Sequence, residues 1–270
     1  MFHNVLVGVD GRSTGRDAIA LAGRLVDRGG VVTLAHVHAH DVEQAERSHE
    51  RLEAERATAG VDARLVSVAS ASPGQGLHVQ AERQHADLLV VGSCSRGMLG
   101  RVALGDDTRA ALNGAPCAVA IAPHGYAAHQ PPIAKVGVAF NGSPESHAAL
   151  AAARRLAAAH DARILALHVV SLPITYAGYA GPTAVGEAIA AMLEAAEREL
   201  SELPDVQGRA VRGVAGEELA IFGDEVDILV AGSRGYGPVR RLVLGSTTDY
   251  LQRHARCALL VLSRAGDASA

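Results

Sequence analysis

The residues best suited to chemistry stand in one stretch, GSRGYGPVRRLVLGST, residues 232–247. Gly232, Gly235, Gly237 and Gly245 are spaced among Ser233, Arg234, Ser246 and Thr247. Glycine admits positive φ and lets a ligand approach the backbone closely. Gly245-Ser246 opens an expected helix, where unpaired N–H groups and the helix dipole favour an anion. The hydroxyls of Ser246 and Thr247 add donors, and Arg234 can balance charge. The spacing Gly-x2-Gly-x9-Gly-Ser therefore suits a phosphate group. The same glycines would also serve a tight turn with no ligand, and the spacing is what favours the anion.

What is missing narrows the chemistry. Lys135 is the only lysine, so no Gly-Lys-Ser/Thr phosphate loop exists. H-E-x-x-H is absent, and no nucleophile–base–orienter set is visible. His36, His38 and His40 alternate in HVHAH and would share one strand face. That pattern fits a strand running into a polar loop better than a zinc site, and no metal site is assigned. Cys94, Cys117 and Cys257 form no CxxC pair, which fits a reduced, cytoplasmic setting. Cys94 lies inside a glycine loop, whereas Cys117 and Cys257 head buried strands. A formal charge of −4 gives no electrostatic footprint for nucleic acid or an anionic membrane. No apolar run reaches the roughly 18–20 residues of a membrane span. The opening MFHNVLVGVD reads as a strand, not a signal peptide.

Two elements of the chain must position such a loop twice. An offset of 140 residues lays Gly232 on Gly92, Gly237 on Gly97, Gly245 on Gly105 and Cys257 on Cys117. The openings match more loosely, with Asp10-Gly11 over Asn141-Gly142. At 270 residues the chain suits two domains of about 130 residues each. Residues 123–135, rich in Pro, Gly and His, read as the junction. The units expected are residues 1–128 and 134–270.

In the second half the pattern predicts strands Val136–Phe140, Ile164–Val170, Arg209–Val214, Ile228–Ala231 and Ala258–Leu262. Helices are expected over Pro144–His160, Thr183–Leu203, Glu217–Phe222 and Thr247–His254. Ser143 is the expected N-cap before Pro144. Ala188, Met192, Ala195 and Leu200 form the expected core stripe of the second helix. Residues 43–57, EQAERSHERLEAERA, read as a helix with a solvated face. Short, continuously apolar strands alternating with helices imply a doubly wound, five-stranded parallel α/β sheet in each half. Ligands of such sheets sit at the carboxyl ends of the strands.

The chain resembles the universal stress protein family in its tandem form. The residues carrying the resemblance are Gly232-Ser233-Arg234-Gly235, nine residues, then Gly245-Ser246. The openings Val9-Asp10-Gly11 and Phe140-Asn141-Gly142-Ser143, and the strand-end pairs His36-Val37 and His168-Val169, agree with it. The resemblance implies a Rossmann-like fold and two domains paired pseudo-symmetrically through their last strands. It also implies ATP, with adenine near the first two strand ends and phosphates over the glycine loop. Carried over residue by residue, Gly232, Ser233, Arg234, Gly235, Gly245, Ser246 and Thr247 match the phosphate side. Phe140, Asn141, Gly142, Ser143 and Val169 match the base side. Asn141 departs from the family's usual Asp.

The first half keeps Val9, Asp10, Gly11, Val37, Gly92, Gly97 and Gly105 as weaker candidates. Ser95 replaces the second glycine, although Gly97 and Gly100 restore some freedom. Gly105 is followed by Asp106-Asp107 instead of Ser-Thr. A like-charge pair about 4 Å apart costs about 4 kcal/mol at an effective dielectric of 20, or about three orders of magnitude in affinity. A bridging Mg²⁺ would reverse that sign.

The function expected is an ATP-binding, stress-response regulatory protein that holds its nucleotide mainly in the second half. Mg²⁺ as a companion ion stays open, as do homodimerisation and a protein partner. Two other functions remain open. One is a slow ATPase or autokinase using Ser246 or Thr247 as acceptor; the other is a nucleotide-free scaffold.

Overall fold

The computed structural model of the chain describes residues 1–39, 41–93, 110–111, 113–171, 182–233, 242 and 245–263. The N-terminal half runs β1 (Phe2–Gly8), α1 (Ser13–Leu25), β2 (Val26–His38), α2 (Val42–Ala59), β3 (Arg64–Ala69), α3 (Pro73–Arg83), β4 (Leu88–Gly92) and β5 (Ala118–Ala122). A short helix, α4 (Tyr126–His129), follows. The C-terminal half runs β6 (Lys135–Phe140), α5 (Pro144–His160), β7 (Arg163–Val170), α6 (Pro182–Ser201), β8 (Val206–Arg212), α7 (Ala215–Phe222), β9 (Ile228–Gly232), α8 (Ser246–His254) and β10 (Ala258–Leu262).

The strands form one ten-stranded sheet in the order β3-β2-β1-β4-β5-β10-β9-β6-β7-β8. Within each half the pairs are parallel, and the halves meet where β5 and β10 run antiparallel. Ala120 faces Leu260, its own counterpart at the 140-residue offset, so the pseudo-twofold passes through that pair. The expected fold and its pairing through the last strands are both present.

Alternation along the strands loads both faces of the sheet. Val5, Val7, Val90, Val138, Val230 and Leu260 belong to one apolar cluster with α1 and α5. Leu6, Leu89, Ile121, Leu229 and Val261 belong to the other, with α3, α7 and α8. Full burial of each such side chain contributes about 1.5–3 kcal/mol. Both clusters draw on both halves, so apolar burial is continuous across the β5–β10 seam. A carboxylate at equivalent points ties each first strand to its neighbour. Asp87 accepts the N–H groups of His3 and Asn4, and Asp227 those of Ala134 and Lys135. Ser143 caps α5 as expected, accepting the Ser146 N–H at 3.2 Å.

Two expectations need correction. The third expected strand of the second half, Arg209–Val214, lies three residues too late at its start, since β8 spans Val206–Arg212. As an edge strand it is not a continuous apolar run, and its place comes from its ladder with β7, Ile164 to Val206 through Val170 to Arg212. Val214 is 60% exposed. The core stripe of α6 is Ile189, Ala196 and Leu200, with Ala188 and Leu193 half-buried; Met192 and Ala195 are exposed. Of the expected stripe Leu200 is buried and Ala188 half-buried.

The expected junction stretch is packed against the first half. The Asp17 carboxylate accepts the N–H groups of Gly125 and Ala127 at 2.9 and 2.8 Å, while Arg24 donates to the Gln130 carbonyl. Tyr126 and Ile133 are buried. Composition alone suggests a linker because the partners of these residues lie about a hundred positions away. Among the described residues no helix is long and apolar enough to cross a membrane.

Candidate functional site

The first and fourth strands of the C-terminal half end side by side, and a cleft of 510 Å³ opens there. Ala139, Phe140, Asn141 and Ser143 enter it from the end of β6, and Leu167 and Val169 from β7. Ala231, Gly232 and Ser233 follow β9, and Gly245, Thr247 and Thr248 begin α8. Ala215 and Leu219 of α7, with Glu145 and Ser146 of α5, complete the wall. One flank is thus apolar, through Leu167, Val169 and Leu219. The other is a helix start rich in hydroxyls.

At that start, Gly245 is the N-cap of α8 and brings no side-chain cap bond. Glycine has no side chain to occupy a first-turn N–H, and a helix N-terminus favours an anion. Gly232 has a different job from the one its place in the motif suggests. Its φ is not positive; instead a Cβ there would lie 2.6 Å from the Glu145 carbonyl oxygen. Gly92 repeats this in the first half, where a Cβ would lie 2.0 Å from the Thr14 carbonyl oxygen. The first glycine of each loop lets the helix after the first strand pack hard against the fourth.

The opening turns are also alike. Gly11 and Gly142 have φ of +74° and +73°. The Asp10 carboxylate accepts the Arg12 N–H at 2.9 Å and the Thr14 hydroxyl. Asn141 Oδ1 accepts the Ser143 N–H at 3.2 Å and its hydroxyl at 2.6 Å. Asn141 therefore keeps the acceptor that builds the turn and drops the negative charge. Gly142 is absent from the cleft wall, and a side chain there would meet the Glu199 carboxylate of α6.

Of the residues marked from sequence, the structure gathers Phe140, Asn141, Ser143, Val169, Gly232, Ser233, Gly245 and Thr247 around one cleft. Ser246 is exposed beside it. Arg234 and Gly235 lie outside the described residues, as do Cys94, Ser95, Gly97, Gly100, Gly105, Asp106, Asp107 and His40. In the first half Val9, Asp10 and Gly11 follow β1, Val37 lies near the end of β2, and Gly92 ends β4, at equivalent places. Sequence reasoning missed Leu167, Ala215, Leu219 and Glu145. Leu167 was recoverable as the residue two before Val169 on the same strand face. Ala215 and Leu219 are spaced i, i+4 on a short helix. Glu145 adds an acidic residue to the cleft lining.

His168 and His36 stand one residue before Val169 and Val37, so they project to the opposite face. His36 Nδ1 is 2.9 Å from Ser48 Oγ, which also accepts from Ser67. Burial, then Arg51 and His38, lowers the His36 pKa, against Asp10. Burial also lowers that of His168, and Glu199, 3.9 Å away, opposes it. The unfolded chain therefore takes up protons first as pH falls below about 6.5. Stability is expected to fall between there and the lower folded-state values, and a His36→Gln/His168→Gln variant to flatten that slope. Urea midpoints from pH 7.5 to 5 measure it; an unchanged slope contradicts it. The thiols of Cys117 and Cys257 are pushed up to about 12 by burial, which makes both poor nucleophiles. Among the described residues no three His, Cys, Asp or Glu side chains converge as a metal set.

A larger cleft, 720 Å³, lies between α1, the end of α2 and α4. None of the residues marked from sequence lines it. Its buried carboxylate, Asp17, is already satisfied by the α4 amides. It reads as the seam of the packed junction.

The profile of the universal stress protein family matches residues 1–123 and again 132–263. A universal stress protein of Thermus aquaticus is 32% identical over 133 residues, 46% of this chain and 95% of that protein. A universal stress protein from Archaeoglobus fulgidus superposes with a TM-score of 0.67, covering 97% of this chain and 98% of its own at 17% identity. A putative universal stress protein from Pseudomonas aeruginosa gives 0.67 at 16% identity, with 97% and 93% covered. At such identities the structures speak to fold alone. Two matched segments, the doubled sheet and the paired loops place the chain in the universal stress protein family, with the family's unit present twice.

Proposed function

We propose that the C-terminal unit, residues 134–270, binds ATP in the 510 Å³ cleft. The N-terminal unit, residues 1–128, carries a degenerate copy that binds it weakly or not at all. The observation that carries this reading is the pairing, in one cleft, of an apolar flank with the uncapped start of α8. A ligand with a flat apolar base and an anionic tail satisfies both ends at once. In the other unit Asp106-Asp107 would add a repulsion against that tail. Occupancy biases a partner surface or the pairing of the halves by its differential affinity for the two states, which suits a cytoplasmic regulatory protein of the stress response.

A thermal melt with and without ATP tests the reading. At a hundred times its Kd, ATP adds about 2.7 kcal/mol, which raises Tm by about 5–10 °C in a chain of this size. An unchanged Tm at millimolar ATP favours the nucleotide-free scaffold.

Glu145 favours a second reading, slow ATP hydrolysis, because this acidic residue is among those lining the cleft. It can hold Mg²⁺ or orient a water there. Phosphate release that falls at least tenfold in Glu145→Gln, with ATP still bound, supports hydrolysis. Release indistinguishable from buffer leaves binding alone.

A further inference from the structure

Two main-chain hydrogen bonds cross from one half of the chain to the other at the C-terminal glycine loop. The Gly114 N–H donates to the Leu242 carbonyl at 2.9 Å, and the Leu242 N–H donates to the Ala115 carbonyl at 3.0 Å. Leu242 is fully buried. It belongs to the apolar cluster that holds Ala111, Ala115 and Cys117 of the first half and Leu251 and Ala255 at the end of α8. Gly114 takes φ of +92°, a conformation that costs a residue with a Cβ. Space does not require the glycine, since a Cβ would meet only His78, at 3.7 Å. The backbone conformation that accompanies the Leu242 bond does.

Leu242 stands three residues before Gly245, the N-cap of α8. Three residues span at most about 11 Å. A clamp on Leu242 therefore limits where the start of α8 can sit relative to the N-terminal half.

The geometry points to Gly114 and Ala115 as a positioning element for the C-terminal cleft, contributed by the half that has lost its own phosphate seat. This rests on the nucleotide reading of that cleft. Ligand affinity there and closure of the clamp are then linked, and each strengthens the other. The degenerate half is retained because it holds its partner's loop, whatever it binds itself. A purely structural role for Leu242, filling the seam, would leave ligand affinity independent of the clamp.

The test joins amide hydrogen exchange with titration on the full chain. ATP is expected to slow exchange at Gly114 and Leu242 at least fivefold. Gly114→Ala is expected to weaken ATP binding about fivefold or more, and Gly114→Asn, which tolerates positive φ better, to recover most of it. If the parent binds ATP while exchange at both amides is unchanged and both variants match its Kd, the clamp does not position the site. If Gly114→Ala does not fold, the exchange measurement on the parent decides alone. If the parent binds no ATP, the nucleotide reading itself fails and the inference falls with it, an outcome separated from the other by the parental titration.

Discussion

Replacing Ser246 and Thr247 together by aspartate lowers the affinity for ATP about a thousandfold. The double variant copies Asp106-Asp107 of the first half onto the second. It puts one or two carboxylates beside the uncapped start of α8, where Thr247 lines the cleft. At about 4 Å and an effective dielectric of 20, one such repulsion is about 4 kcal/mol. The fold is expected to survive, because acidic residues in a helix's first turn interact favourably with its dipole, by about 0.3–1 kcal/mol each. Affinity and stability thus move in opposite directions, which separates a lost ligand site from a lost structure. Isothermal titration beside a thermal melt reads both. ATP bound by the variant as tightly as by the parent would place the site elsewhere.

The second large effect is on stability. Gly92→Ala is expected to destabilise the chain by about 3 kcal/mol or more, and Gly232→Ala by about 1–3 kcal/mol. The Cβ added at 92 would meet Thr14 backbone atoms at 2.0, 2.7 and 3.0 Å. At 232 it would meet Glu145 O, Cβ and C at 2.6, 2.8 and 2.9 Å. Main-chain atoms of α1 and α5 cannot rotate aside, so the helix start must shift away from the strand. Denaturant midpoints measure the loss, and a Gly92→Ala protein as stable as the parent would contradict the close helix–strand approach. The same geometry explains why the first half keeps Gly92 while its loop has turned acidic. That glycine serves packing, and its presence says nothing about a ligand.

Much of this was legible in the residues. Continuous apolar strands such as Ile228–Gly232 and Ala258–Leu262 lie where both faces are covered, and their ends were read to within one residue. The cap at Ser143 and the proline after it marked the start of α5. Edge strand β8 was displaced because its place depends on pairing with β7, which no local pattern encodes. The stripe of α6 was misread because an alanine-rich helix offers several apolar faces of similar weight. Its larger side chains, Ile189 and Leu200, decide which one is buried. The cleft's strand-end residues were found through the glycine spacing and the family resemblance. Glu145, Ala215 and Leu219 were not, since only the packing of α5 and α7 brings them to the strand ends. The bond between Gly114 and Leu242 joins residues more than a hundred positions apart, and nothing in either segment announces it.

The central claim is that the C-terminal cleft holds the triphosphate and its N-terminal twin does not. A crystal of the full chain grown with excess ATP and magnesium tests it most directly. The account predicts one nucleotide per chain, with phosphates at the main-chain amides following Gly245 and the base against Val169 and Leu219. Density in the seam beside α4, in the N-terminal unit alone, or nowhere would contradict it.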